Sequence, residues 1–241
     1  MGIGSHGSIP GRNLYRKRQP KGRNGDRHAE ASGRRSDGKP GHASPLPFGL
    51  GPQRGVAILT EEHLVGVDAA SGRALWRQEL PRSGLSYKIT DPLFLGDRVF
   101  LTASYGGLCA LFRITGGSVR GVWKTRSLVS KVLNPVLVDG CIVGSHHEKS
   151  FRCIDPAGGE IRWERPFAGS VIVTDGPCLI LTTTGELILA KVTAKSFQEL
   201  ARKRVLEGKC WTPPSLSAAR LYCRNAAGDL VCVDLGNPQR P

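Results

Sequence analysis

Sulfur, imidazole and indole are the groups in this sequence with chemistry to offer. Seven cysteines could serve a metal or a disulfide, but no two stand in a Cys-x-x-Cys spacing and their number is odd. Cys223 and Cys232 could face each other across one hairpin. His146 and His147 stand beside Glu148, yet adjacent strand residues point to opposite faces and chelate one ion poorly, so a solvated turn is expected there. Thr182-Thr-Thr184 reads as another turn. Trp76, Trp123, Trp163 and Trp211 could be stacking platforms for a sugar or a base. Arg224 and Asn225 sit between an apolar run and a turn, where loops gather function. The sequence has no Gly-rich phosphate loop, His-Glu-x-x-His pair, Gly-x-Ser-x-Gly elbow or haem-attachment pattern. No catalytic residue and no metal ligand can be nominated, and no cofactor-binding residue is defined.

Three of the four tryptophans belong to a repeat. Leu64 to Trp76 and Phe151 to Trp163 share one pattern: an apolar run, an Asp, a turn closing on Gly, then Trp eight residues after the Asp. Asp68 and Asp155 can accept hydrogen bonds from turn amides, and Gly72 and Gly159 supply the positive φ of such a turn. Trp76, Trp123 and Trp163 need a wide apolar slot that one hairpin cannot offer, so a neighbouring copy must provide it. They are expected in the core. Trp211 stands apart, beside Pro213 and Pro214, where it can line a channel or a loop surface.

Further copies align without gaps. Leu95 to Phe112 falls on Val138 to Asp155, and Leu93 to Arg113 on Ser215 to Leu235. Gly106, Lys149, Gly185 and Gly228 mark one equivalent turn, and Pro92, Pro135 and Pro214 one strand start. Periods of this size, with about four short strands each, are the signature of propeller blades. The spacing predicts blades over 56–80, 89–127, 132–165, 169–206 and 210–235. In the fourth, Lys191 takes the place of the turn Asp and Ser196 to Arg204 is a bulged strand or a helical turn. The first blade is expected to lack an inner strand and the last an outer one. In this register Cys153 and Cys232 share a position with Ala110 and Gly66, where a small residue is sandwiched between blades.

Charge divides the chain. Residues 1–54 hold 11 Lys or Arg against 3 acids and few large apolar residues; 55–241 hold 23 against 17. The first segment is expected to be a disordered basic tail. Its cations are scattered without interleaved aromatics, so nucleic-acid or anionic-surface binding is an alternative rather than the first reading. Neither a signal peptide nor a membrane span is legible, which places the product as written in the cytoplasm.

The Asp-x-x-x-Gly-x-x-x-Trp units resemble the tryptophan-docking repeats of pyrroloquinoline-quinone (PQQ)-type β-propellers. The resemblance covers about residues 56–235. Gly208-Lys-Cys-Trp-Thr-Pro-Pro214 and Arg220 to Asp234 are the most similar to bacterial polyvinyl-alcohol-dehydrogenase-like proteins and to the propeller lipoprotein of outer-membrane assembly. It implies an all-β, quinoprotein alcohol dehydrogenase-like propeller, here partial, with four to five blades of four antiparallel strands. It also implies an exported location, and a chain corresponding to a fragment of a larger propeller. The expected function is a non-catalytic binding module, completed by a protein partner or by further blades. The alternative is a quinoprotein dehydrogenase oxidising an alcohol with PQQ and calcium, but the adjacent cysteines of that group are missing.

Overall fold

The computed structural model describes residues 41–80, 89–103 and 107–236, and every regular element among them is a β-strand. Gly106 and residues 1–40 of the expected tail lie outside the described residues. The strands form five antiparallel meanders in chain order. Blade 1 holds β1 (Leu46–Leu50), β2 (Gln53–Leu59), β3 (His63–Asp68) and β4 (Ala74–Glu79). Blade 2 holds β5 (Leu93–Leu95), β6 (Arg98–Ala103), β7 (Leu108–Thr115) and β8 (Ser118–Thr125). Blade 3 holds β9 (Val136–Val138), β10 (Cys141–His146), β11 (Ser150–Ile154) and β12 (Ile161–Arg165). Blade 4 holds β13 (Gly169–Ile172), β14 (Cys178–Thr182), β15 (Glu186–Val192) and β16 (Phe197–Arg204). Blade 5 has three strands, β17 (Ser215–Ser217), β18 (Arg220–Arg224) and β19 (Leu230–Asp234).

The second strands of blades 2, 3 and 4 are buried on both faces because both faces are covered. In β14 all of Cys178 to Thr182 is buried, whereas in the outermost strand of the same blade only Phe197 is. Each blade packs on the next through its own cluster. Leu64 and Trp76 meet Val99 and Phe112 between blades 1 and 2, and Leu111 meets Ile142 and Ile154 between blades 2 and 3. Phe151 and Trp163 meet Ile180 and Ile188 between blades 3 and 4, and Leu181 meets Leu221 and Cys223 between blades 4 and 5. Burial of this kind contributes roughly 1.5–3 kcal/mol per large side chain.

A repeated hydroxyl clamp locks blade 2 to the connection that follows it and blade 3 to the start of blade 4. Thr102, near the end of β6, donates to Leu128 O (2.8 Å) and accepts from Ser130 N (2.9 Å). Ser145, at the matching place in β10, donates to Gly169 O (2.9 Å) and accepts from Gly169 N (2.8 Å). The starts of the first strands are also tied together: Asp91 accepts from Ser44 N (2.6 Å) and from Asn134 Nδ2 (2.8 Å).

Several expectations need correction. The tail boundary falls before residue 54, because β1 completes blade 1 with the strand thought to be missing. Pro47 is tolerated there because the strand lies at a sheet edge. Phe48 anchors it, packing 5.3 Å from the Trp76 ring over Gly55, whose missing side chain leaves the space. In blade 4 the residue capping the turn is Thr193 rather than Lys191. Its Oγ1 accepts from Lys195 N (3.2 Å) and Ser196 N (3.0 Å), while Lys191 pairs with Gln198 inside the ladder. Residues 197–204 are strand throughout. Trp123 follows longer strands than its counterparts, since Thr115 pairs with Ser118 around Gly116 and Gly117.

The cysteine register is one residue out in blade 2. Cys153 and Gly66 lie opposite Trp163 and Trp76, and the residue opposite Trp123 is Leu111, not Ala110. A β-bulge follows that position in each four-stranded blade, after Gly66, Leu111, Cys153 and Leu189. It re-aims the outer strand so that its large residue leans on the next blade.

Candidate functional site

The Asp–Gly–Trp units build interfaces between blades. Asp68 Oδ1 accepts from Ser71 N (2.7 Å), Ser71 Oγ (2.6 Å) and Ala70 N (3.2 Å), and Gly72 closes the turn at φ 73°. The Ser71 hydroxyl, then its amide, hold the Asp68 carboxyl below its ordinary range. Asp155 Oδ1 accepts from Ala157 N (2.8 Å) and its other oxygen from Arg162 (2.7 Å). Those two contacts, the amide first, lower its pKa likewise. Into such turns the preceding blade sends its indole. Trp123 Nε1 donates to Pro156 O (3.0 Å), its ring lying against Gly159 at φ 84°, and Trp163 Nε1 donates to Thr193 O (2.9 Å). Trp76 is buried on Gly66, but its Nε1 has no acceptor, and the turn of blade 2 is a tight two-glycine hairpin. In blade 4 the Trp place, opposite Leu189, is taken by Ala201.

Sequence reading missed the cleft between blades 3 and 4, since its walls come from four separate turns and strands. It encloses about 530 Å³ between Glu148 and Lys149 of one blade turn, Thr182 to Thr184 of the next, and the connection Arg165 to Ala168. The floor is aromatic: Phe167 stacks on Phe151 at 5.3 Å, and Phe197 stands 5.7 Å from Phe167. Two guanidiniums lie over these rings, Arg165 on Phe197 at 5.5 Å and Arg202 on Phe167 at 5.7 Å. Arg202 is fixed by Glu199 (2.8 Å) and Glu186 (2.8 Å), Arg165 by Phe197 O (3.2 Å). Glu199 raises the Arg202 pKa, so its charge is permanent. The result is a pre-arranged apolar floor with a rim of both signs.

The two histidines adjoin this cleft, and their rings meet edge to face at 4.3 Å, contrary to the expected opposite orientation. The reason is His147, which leaves the strand at φ 51°. His146 Nδ1 accepts from Val129 N (3.1 Å), so that nitrogen is already used. Burial, followed by the charge of Arg152, pulls the His146 pKa down to about 4. Of Thr182 to Thr184 the last two form the turn, Thr182 being the end of β14, and all three line the cleft.

Trp211 is 39% exposed, with the ammonium groups of Lys209 and Lys131 at 5.0 and 5.9 Å from its ring centre. Arg224 reaches the adjacent Thr212 hydroxyl (3.1 Å), so Trp211 and Arg224 share one basic surface. Asn225 does not join it. Buried, it donates to Glu207 O (2.9 Å) and Asp229 Oδ2 (2.6 Å) and accepts from Asp229 N (2.9 Å), which makes it a turn clamp. Burial raises the thiol of Cys153 to about 12 and that of Cys223 to about 11, which keeps both inert. Cys223 and Cys232 occupy opposite faces of blade 5, one buried and one exposed, and are not bonded. Cys232 therefore departs from the expected sandwiched position.

Residues 53–165 match the family model described as outer membrane protein assembly factor BamB. Over those residues the chain is similar to PQQ-type β-propeller repeats. Among solved structures it is similar to BamB from Moraxella catarrhalis, at 18% identity and a TM-score of 0.58 over 80% of this chain and 58% of that one. It is also similar to the computationally designed Ika8 protein, at 12% identity and a TM-score of 0.56 over 77% of this chain and 56% of that one. The chain thus spans less than two thirds of either, and both likenesses concern the fold. No curated protein matches the sequence.

Among the described residues no three His, Cys, Asp or Glu converge as ligands, and no two cysteines are adjacent in sequence. Among them, too, no helix is long and apolar enough to cross a membrane.

Proposed function

We propose that this PQQ-repeat propeller is a non-catalytic protein-binding module, and that the cleft between blades 3 and 4 takes an exposed segment of a partner polypeptide. The observation that carries this reading is the aromatic floor of Phe167 and Phe197 beneath fixed guanidiniums. Such a floor suits an apolar side chain, while Glu148, Lys149 and the Thr183 hydroxyl suit main-chain and charged groups around it. Seven free thiols support a reducing compartment such as the cytoplasm.

A photo-crosslinking residue at Thr183, inside the cleft, is compared with one at Val122, exposed on β8. The expected result is a discrete polypeptide adduct from Thr183 that disappears with Phe167→Ala, and none from Val122. Equal labelling at both positions would count against the cleft. Saturable, calcium-dependent quenching of tryptophan fluorescence by PQQ would instead favour the dehydrogenase reading.

A further inference from the structure

A second pocket, of about 630 Å³, adjoins the cleft of blades 3 and 4 across Lys149, Arg165 and Pro166, which line both. Its own wall is built on blade 3. Ser150 and Arg152 stand two places apart on β11, and so on one face of the strand, with Glu164 opposite Arg152 on β12. Blade 3 packs on blade 2 and on blade 4, so this is not a surface that a further blade covers.

Two donors in this wall are buried and unused. Ser150 is 6% exposed, and its Oγ has no hydrogen-bond partner. It lies near enough to Glu164 to lower that carboxyl's pKa, ahead of Arg152, without being bonded to it. The Arg152 guanidinium is held by Ser127 O (2.7 Å) and Glu164 (3.1 Å), which leaves its Nε–H without an acceptor. A buried donor with nothing to bind costs free energy, so the two mark a place for acceptor oxygens. Charge points the same way. Glu164 is balanced by Arg152. Among the described residues Lys149 forms no ion pair, and the Arg165 guanidinium hydrogen-bonds only to the carbonyls of Glu164 (2.9 Å) and Phe197 (3.2 Å). Two positive charges are left over at the edge shared with the cleft.

We infer, on the reading that the cleft seats a partner segment, that this pocket takes the carboxylate of an acidic side chain on the same segment. A carboxylate brings two oxygens for the Ser150 hydroxyl and the Arg152 Nε–H, and one negative charge for Lys149 and Arg165. A dianion such as a phosphoryl group meets the charge of Glu164 on the same wall and is disfavoured.

Fluorescein-labelled hexapeptides test this on the full chain by anisotropy. Each carries Phe and, one, two or three places to either side, Glu; each has one copy with Gln for Glu and one with Ala for Phe. The best-placed Glu peptide is expected to bind roughly tenfold more tightly than its Gln copy, and the gap should narrow in high salt. Ser150→Ala should shrink that gap by weakening the Glu peptide alone, and Lys149→Gln should shrink it too. Ser150→Ala should not lower the urea unfolding midpoint, since its hydroxyl bonds nothing in the chain. Equal affinity for the Glu and Gln copies would overturn the acidic pocket and leave the cleft standing. Equal affinity for the Phe and Ala copies, with the Glu preference intact, would remove the cleft reading and with it the shared segment. No binding by any member would overturn both, and a phosphoserine copy tighter than the Glu peptide would overturn the carboxylate.

Discussion

The junctions of blades 2 with 3 and 3 with 4 differ from the junction of blades 1 with 2 in one hydrogen bond. Trp123 and Trp163 each donate to a carbonyl of the following blade's turn, while Trp76, buried more deeply than either, donates to nothing. The turns differ as well. The turns after Asp155 and around Thr193 are wide and expose a carbonyl, whereas the Gly116–Gly117 hairpin of blade 2 is closed by its own ladder. One residue type in one repeat position is therefore a polar clasp at two junctions and an apolar wedge at the third. Position in a repeat assigns an indole to the interface; the turn it meets decides what the indole does there.

The largest effect expected is from Trp163→Ala, which empties the slot shared by Phe151 and Phe197. A loss of about 3–5 kcal/mol is expected in urea unfolding, since a large aromatic side chain leaves a cavity. Gly66→Val tests the wedge from the other side. A side chain at Gly66 would lie within the Trp76 ring, so about 1–3 kcal/mol should be lost with disturbed tryptophan fluorescence. The corresponding change Cys153→Val should cost less, because that position already holds a side chain beneath Trp163.

The junction of blades 2 and 3 should also be the acid-sensitive one. His146 accepts from Val129 N in the connection between those blades, and its pKa is about 4 against an ordinary 6.5. A folded-state pKa lowered in this way means the unfolded chain binds more protons between the two values. Stability should therefore be full above about pH 6.5 and fall as pH drops towards 4. His146→Asn, which keeps an acceptor but does not titrate, should flatten that part of the stability–pH curve. A profile identical to the parent's would mean that other groups set the acid limb.

The sequence made the repeat legible because it is written in side chains the fold cannot replace: Asp68 and Asp155 for the turn, Gly72 and Gly159 for positive φ, Trp for the wedge. It did not make β1 legible, because Phe48 is the strand's one buried anchor inside a segment whose average composition is polar. Thr193 escaped notice because a hydroxyl can cap a turn as a carboxylate does, and the strand before it is longer. The bulges hid the true partner of Trp123, since a gapless alignment cannot register an extra residue. The cleft was invisible for a plainer reason. Phe167, Thr183 and Glu148 belong to different turns, and only the packing of blade 3 on blade 4 brings them together.

The most direct test replaces each docking indole in turn by phenylalanine and compares urea unfolding midpoints of Trp76→Phe, Trp123→Phe and Trp163→Phe. All three lose some volume, but only the last two lose a hydrogen bond and strand a turn carbonyl. They should fall below Trp76→Phe by about 0.5–1.5 kcal/mol. A Trp76→Phe chain destabilised as much as Trp163→Phe would contradict the distinction between clasp and wedge.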